Sequence, residues 1–93
     1  MEARTVERNV KVEVIALWET DGQLRPLRFR FTGEDHQLHS AGIDQVLSIR
    51  QVAYVGVDAL IFLCRACVEG RERMLELKYT IRSHSWTLLR WIY

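Results

Sequence analysis

The sequence predicts an all-β fold, in which about six antiparallel strands curl into a small SH3-like barrel or a strongly bent sheet. Apolar and polar residues alternate along several segments, as they do in a strand with one buried face. The five glycines, at positions 22, 33, 42, 56 and 70, are isolated turn residues. Closing such a sheet into a barrel removes its unpaired, aggregation-prone edges, and we therefore expect a compact barrel.

One domain is expected, with a frayed N-terminus over residues 1–9 and the barrel over residues 10–93. The formal charge of +1, from 13 basic and 12 acidic residues, does not favour binding to nucleic acid or to an anionic membrane. No apolar signal-peptide region opens the chain, and the longest apolar run, residues 59–64, is far shorter than the ~20 residues of a membrane helix. We expect no membrane association and a cytoplasmic location.

The first predicted hairpin covers residues 10–31. A turn at Asp21-Gly22 joins its two strands, and Pro26 can stand at the first residue of the second strand, where it costs no ladder hydrogen bond. Each strand carries one apolar face. These faces comprise Val10, Val12, Val14, Ala16 and Trp18 in the first strand, and Leu27, Phe29 and Phe31 in the second.

Residues 34–55 are less regular. A short edge strand around Leu38 is one interpretation of residues 35–40. Residues 43–55 fit one face of a helix, and they also fit a long bent strand with Ile43, Leu47 and Ile49 on one face. The number of β-branched residues and the neighbouring strands favour the strand.

The hairpin around Glu69-Gly70 has the clearest register. A two-residue loop at this position pairs Val68 with Arg71. A slip by one residue would turn every apolar side chain of both strands outward, so turn and pattern predict one register. In this hairpin the predicted opposite pairs are Cys64 with Leu75, Phe62 with Leu77, and Leu60 with Tyr79.

A final strand is predicted over residues 85–93.

The two cysteines are three positions apart, a spacing found in zinc sites and thiol redox pairs. In a strand, Cys64 faces the core and Cys67 faces outward, with Cα atoms about 10 Å apart, which excludes a disulfide and a shared metal ion. His36 and His39 complete a Cys₂His₂ set on paper, but we interpret them as surface loop residues. No metal and no cofactor are expected.

No motif predicts catalysis. The chain has no glycine-rich phosphate loop, and its serines near His39 and His84 do not lie in a strand-to-helix elbow that would activate a nucleophile. We therefore expect the protein not to be an enzyme.

Arginines on the predicted outward faces form a candidate binding surface of Arg28, Arg30, Arg65 and Arg73. Small barrels that bind single-stranded nucleic acid combine such arginines with exposed aromatic rings. Acids such as Glu13 lie on the same faces, which indicates a mixed-charge surface instead. The expected function is a non-catalytic protein-interaction or self-associating module, and single-stranded nucleic-acid binding is the alternative.

The C-terminal segment SWTLLRWIY suggests a homodimer. Alternation places Trp86, Leu88 and Ile92 on one face of this strand, whereas a barrel strand needs only one buried face. Burial by a second subunit would protect the other face, unless residues 34–42 fold back over it. The candidate interface is Leu89, Trp91 and Tyr93.

The sequence also resembles a family of short bacterial proteins of unknown function. The similarity lies in VEV at residues 12–14, the DG turn at 21–22, PLRFRF at 26–31 with the following Gly33, and RACVEGRERMLELKY at 65–79. It covers about residues 10–91 and implies a compact antiparallel barrel. The matching positions are turn and core residues, so the resemblance implies no catalytic residues and leaves the function open.

Overall fold

A computed structural model, which describes residues 4–92, shows six antiparallel strands closed into a barrel. The strands follow one another around the wall in chain order, and β6 closes the barrel by pairing with β1. The all-β barrel prediction is confirmed, while the narrower SH3-like description stays a prediction. The strands are β1 (Thr5–Trp18), β2 (Leu24–Thr32), β3 (Leu38–Tyr54), β4 (Val57–Val68), β5 (Arg71–Thr80) and β6 (Ser85–Ile92).

Two predicted boundaries were wrong. Strand β1 begins at Thr5, and residues 5–7, which we expected to be frayed, pair with the end of β6. The residues around Leu38 and residues 43–54 form one continuous strand, β3, so the strand interpretation is confirmed and the separate edge strand is not. Residues 5–7 pair with the opposite end of the chain, so no local pattern indicates that they form a strand. Strand β3 is continuous because its beginning pairs with β2 and the rest of it pairs with β4. Within residues 4–92, no helix is long and apolar enough to cross a membrane.

The β4–β5 hairpin has the predicted register. Cys64 lies opposite Leu75 and Cys67 opposite Glu72. Glu69 and Gly70 both have positive φ, 52° and 76°, the geometry of the two-residue turn whose twist matches antiparallel strands.

A β-bulge in the β1–β2 pair changes the predicted inward face of β2. Ile15 pairs with Arg28 and Ala16 with Pro26, so Leu27 is the extra residue. Leu27 is therefore exposed rather than buried, and Pro26 is fully buried within the strand rather than placed at its first residue. A bulge also accommodates a proline, because the ladder is already interrupted there.

Further bulges change the faces of β3 and β6. Bulges in β3 bring Val46, rather than the predicted Leu47, against the core together with Ile43. In the β5–β6 pair, Glu76 lies opposite Arg90 but Leu77 lies opposite Leu88, so Leu89 is the extra residue. The residues beyond Leu89 change face as a result.

The barrel interior is filled mainly by apolar side chains. Phe29, on the predicted apolar face of the second strand, is 1% exposed, and the predicted opposite pair Phe62 and Leu77 are both 0% exposed. A six-stranded barrel has a narrow interior that such side chains fill, so any ligand cavity has to lie where the wall opens.

Candidate functional site at one mouth of the barrel

The wall opens at the end of the barrel where β1 begins. Pairing between β1 and β2 covers residues 13–18 of β1, whereas residues 5–12 of β1 follow β6. The two strands separate at this end and leave a cavity of about 560 Å³. We call it the mouth cavity. Its lining comes from all six strands, the β2–β3 loop and the β4–β5 turn.

One wall of the mouth cavity is aromatic. The Phe31 and His39 rings are stacked with centroids 5.5 Å apart, and the Phe31 ring meets the Trp91 ring edge-on at 5.3 Å. His39 lies opposite Phe31 in the β2–β3 pair, so both side chains are on the inward face. The three rings form an aromatic wall beside Val10 and Leu88.

Two arginines line the same cavity. Arg73 of β5 lies opposite the buried Ala66 and therefore points inward, and its guanidinium carbon lies 4.0 Å from the centroid of the Trp91 ring. Arg8 of β1 lies at the opening, with its side chain 33% exposed. Burial, followed by the like charges of Arg71 and Arg8, lowers the pKa of Arg73. Positive charge is thus gathered next to an aromatic wall.

Three carboxylates lie at the rim of the mouth cavity and are more exposed than Arg8. The Glu34, Asp35 and Glu69 side chains are 89%, 52% and 64% exposed. Glu34 Oε1 accepts a hydrogen bond from Arg8 Nη2 at 3.0 Å. The charges are therefore layered, with carboxylates outermost and guanidinium groups deeper.

His39 joins two of the rim segments. Its Nε2 lies 3.0 Å from Asp35 in the β2–β3 loop, and its Nδ1 lies 2.9 Å from Glu69 Oε1 in the β4–β5 turn. Only the protonated ring can donate from both nitrogens. The Asp35 hydrogen bond raises the pKa of His39, and the same bond is the main cause of the lowered pKa of Asp35. We call these three residues the rim clamp.

A second, smaller cavity lies at the opposite end, where β2 and β3 separate beyond the Arg28–Gly42 pair. It measures about 330 Å³ and lies beside the β1–β2 turn, with Leu24, Val46 and Ile49 in its wall. Aromatic side chains and inward-facing arginines distinguish the mouth cavity from this one. The mouth cavity is therefore the better candidate for a binding site.

The predicted arginine surface is divided by the structure. Arg28, Arg30 and Arg65 lie on the outer wall across β2 and β4, while Arg73 lies in the mouth cavity. Arg65 and Arg30 each form an ion pair with a glutamate of a neighbouring strand. These pairs are Arg30 with Glu13 at 2.6 Å and Arg65 with Glu72 at 2.7 Å.

The proposed dimer residues also occupy different environments. Trp91 is 3% exposed inside the barrel, because the bulge at Leu89 turns it to the same face as Trp86 and Leu88. The prediction that Trp91 is exposed in a single chain was wrong. Leu89 is half-buried, and Tyr93 lies outside the described residues. Strand β6 pairs with both β1 and β5, so it is not an edge strand.

The cysteines lie as predicted, with Cys64 buried, Cys67 exposed and both thiols free. His36 lies in the exposed β2–β3 loop, but His39 is a half-buried residue of β3, so its prediction as a loop residue was wrong. Over residues 4–92, no three His, Cys, Asp or Glu side chains are grouped as a metal site requires.

Sequence reasoning missed the mouth cavity because its residues come from distant segments. Arg8 lies in the stretch expected to be frayed, and Trp91 lies beyond a bulge that strict alternation does not predict. Alternation placed Val10, Phe31 and Leu88 on apolar faces, but it did not indicate that these faces meet at one opening.

Comparison with known proteins found no matching family model, no matching curated protein and no matching solved structure. The resemblance to short bacterial proteins therefore stays an expectation, and the functional argument depends on the geometry of the mouth cavity.

Proposed function

We propose that the protein is a non-catalytic binding module and that the mouth cavity is its binding site. The observation that carries this proposal is a cavity of about 560 Å³ in which an aromatic wall meets two arginines. Ligand sites have volumes of roughly 300–1,000 Å³, and they combine apolar walls with a few polar groups. Barrel mouths are among the places where such sites occur.

The outer wall supports the nucleic-acid alternative less well. Non-specific binding of single strands needs exposed rings on which bases stack, beside basic side chains. Of the aromatic side chains that the structure describes, only Trp18 is largely exposed, and it packs against Tyr79 at the end opposite the mouth cavity. Ion pairs with glutamates further reduce the positive field of Arg30 and Arg65.

Self-association and location are the finer parts of the proposal. The dimer argument started from an uncovered second face of the last strand. Trp91, which was assigned to that face, lies inside the barrel, and β6 has no free edge, so we propose a binding module without relying on a dimer. We propose a cytoplasmic location because two cysteines on opposite faces of one strand do not make the disulfide framework that is typical of small secreted domains.

A fragment screen followed by amide chemical shifts tests the binding site. We expect the shifts caused by bound fragments to cluster on residues of the mouth cavity. Val10 lines this cavity and is 45% exposed, so Val10→Trp fills the opening without overpacking the core and should abolish these shifts. Ile15→Trp, on the outward face of the same strand, is the matched control. Fragments that bind Val10→Trp as well as wild type would contradict the proposal.

A further inference from the structure

We infer that the ligand of the mouth cavity is a small organic anion, in which a carboxylate or phosphate group is joined to a flat apolar ring. This inference rests on the proposed function, because it names the ligand class of the same site. Three features of the cavity support it: the depth at which its charges lie, the partners of its carboxylates, and the shape of its apolar wall.

The depth of the charges favours an anion. Arg73 points inward over Trp91 and Arg8 lies at the opening, while the rim carboxylates are mostly in water. A charge in water is screened more strongly than one beside a low-dielectric wall. The field inside the cavity is therefore dominated by the guanidinium groups rather than by the rim carboxylates.

The rim carboxylates already have partners. Asp35 and Glu69 both contact His39, and Glu34 contacts Arg8. Because Glu34 is 89% exposed, its ion pair with Arg8 contributes little to stability. An oxyanion that enters the cavity can replace Glu34 at Arg8 at small cost. The guanidinium group then offers the paired donors that suit a carboxylate or a phosphate.

The apolar wall sets the shape of the rest of the ligand. The rings of Phe31 and Trp91 lie edge to face at 70°, and the Arg73 guanidinium already covers one face of Trp91. A flat ring can pack against the remaining aromatic surface in an offset or edge-on arrangement. A ligand with a flat apolar ring and an oxyanion at its end uses both kinds of surface.

Three compounds with the same ring test the inference by calorimetric titration: 2-naphthoate, 2-naphthyl phosphate and the neutral 2-naphthamide. We expect at least one of the two anions to bind about tenfold or more tightly than the amide, the usual advantage of a hydrogen bond to a charged group. The tighter anion distinguishes a carboxylate ligand from a phosphate ligand. Added salt should reduce the preference.

Two variants assign the preference to the arginines. Arg8→Met and Arg73→Met keep the apolar stems and should each reduce the preference for the anion about tenfold. Arg28→Met, on the outer wall, is the matched control and should leave the preference unchanged. Arg8 is partly exposed, so Arg8→Met is expected to fold. If Arg73→Met does not fold, Arg8→Met alone tests whether the arginines cause the preference for the anion.

Equal binding of the amide and the anions, or a preference that survives Arg8→Met, would overturn the inference of an anionic ligand. The proposed function would remain, because the ring would still bind in the mouth cavity. If none of the three compounds binds, the ligand class is also wrong, and the fragment screen with Val10→Trp decides separately whether the cavity binds anything.

Discussion

At the scale of single residues, the rim clamp makes stability depend on pH. The pKa of His39 is raised above its ordinary value of 6.5, so the stability gained from the charged ring is fully present below 6.5 and is lost as the pH rises through the folded pKa. The pKa of Asp35 is lowered below 3.8, so its contribution is present above 3.8 and is lost as the pH falls through the folded pKa. Between pH 3.8 and 6.5 both contributions are fully present, so the rim clamp stabilises the fold most in this range.

We predict that His39→Asn destabilises the protein most at pH values between 3.8 and 6.5 and progressively less above that range. Urea unfolding curves of wild type and variant over a series of pH values measure the difference. His36→Asn is the control, since His36 is exposed in the adjoining β2–β3 loop and asparagine tolerates its positive φ of 61°. A stability difference that is constant across the series would contradict the assignment.

Gly33→Ala disrupts the same clamp without removing a charged group. A Cβ at position 33 would lie 2.8 Å from His39 Cδ2 and 2.9 Å from Asp35 Oδ1, so at least one of these side chains has to shift, and we expect their hydrogen bond to weaken. The NMR pKa of His39 should then fall toward 6.5. Gly42→Ala, where the nearest atom is 3.4 Å away in the flexible Arg28 side chain, should leave it unchanged.

The two thiols should differ in reactivity. Burial, with a smaller effect of the Glu76 charge, raises the pKa of Cys64 to about 12, and Cys67 is exposed on the outer wall. We predict that iodoacetamide modifies Cys67 in the native protein and Cys64 only on unfolding, because the reactive species is an accessible thiolate. Peptide mass spectrometry of a labelling time course, with Cys67→Ser as the control, measures both rates. Similar rates at the two sites would contradict the strand register.

At the scale of elements, a buried carboxylate ties four strands together on the outer wall. Glu76 of β5 is 5% exposed and bonds both Arg50 of β3, at 3.0 Å, and Arg90 of β6. Arg90 Nε in turn donates to Glu7 of β1 at 2.8 Å, and this bond is the main cause of the raised pKa of Arg90. The network crosses the β5–β6 bulge, where the backbone ladder is interrupted.

We predict that Glu76→Ala lowers the free energy of unfolding by about 1–3 kcal/mol, because two arginines lose their carboxylate. The loss stays below the usual cost of breaking a fully buried ion pair, since Arg50 and Arg90 are 54% and 31% exposed and can reach water. Denaturant unfolding measures it. Glu72→Ala, on the same strand and 67% exposed, is the control and should change stability by less than about 0.5 kcal/mol. Equal effects of the two variants would refute the role of the network.

At the scale of the whole molecule, closure of the barrel determines where the Trp91 ring lies. Its ring lies inside a single chain, against Phe29, Phe31 and the Arg73 guanidinium. It therefore belongs both to the core and to the wall of the mouth cavity. The stability of the barrel and the shape of the site are coupled through this residue.

We predict that Trp91→Ala costs about 3–5 kcal/mol, a large part of the 5–15 kcal/mol that stabilises a small domain. The loss should be independent of protein concentration, because the contacts lie within one chain. Thermal unfolding at several concentrations measures this, with the exposed Ile15→Ala as the control. A variant that stays fully stable but dissociates in sedimentation would restore Trp91 as a dimer contact.

The mouth cavity could not be predicted from the sequence for identifiable reasons. Its inward-facing Arg73 reads as a surface residue, since charged side chains on strands normally face water. His39 and Trp91 face inward only because of a continuous β3 and a bulge at Leu89, and neither feature has a local sequence signal. The cavity itself exists because residues 5–12 of β1 pair with β6 and not with β2. This pairing joins segments that are far apart in the sequence.

The local pattern by itself determined the all-β fold, the register at Glu69-Gly70, the burial of Phe29 and Phe62, and the opposite faces of Cys64 and Cys67. These features depend on strand periodicity and turn chemistry, which act over a few residues. The tertiary structure decided the start of β1 at Thr5, the positions of the bulges and the assembly of the mouth cavity. These depend on which strands meet when the barrel closes, and that competition between long-range pairings has no counterpart in any short stretch of sequence.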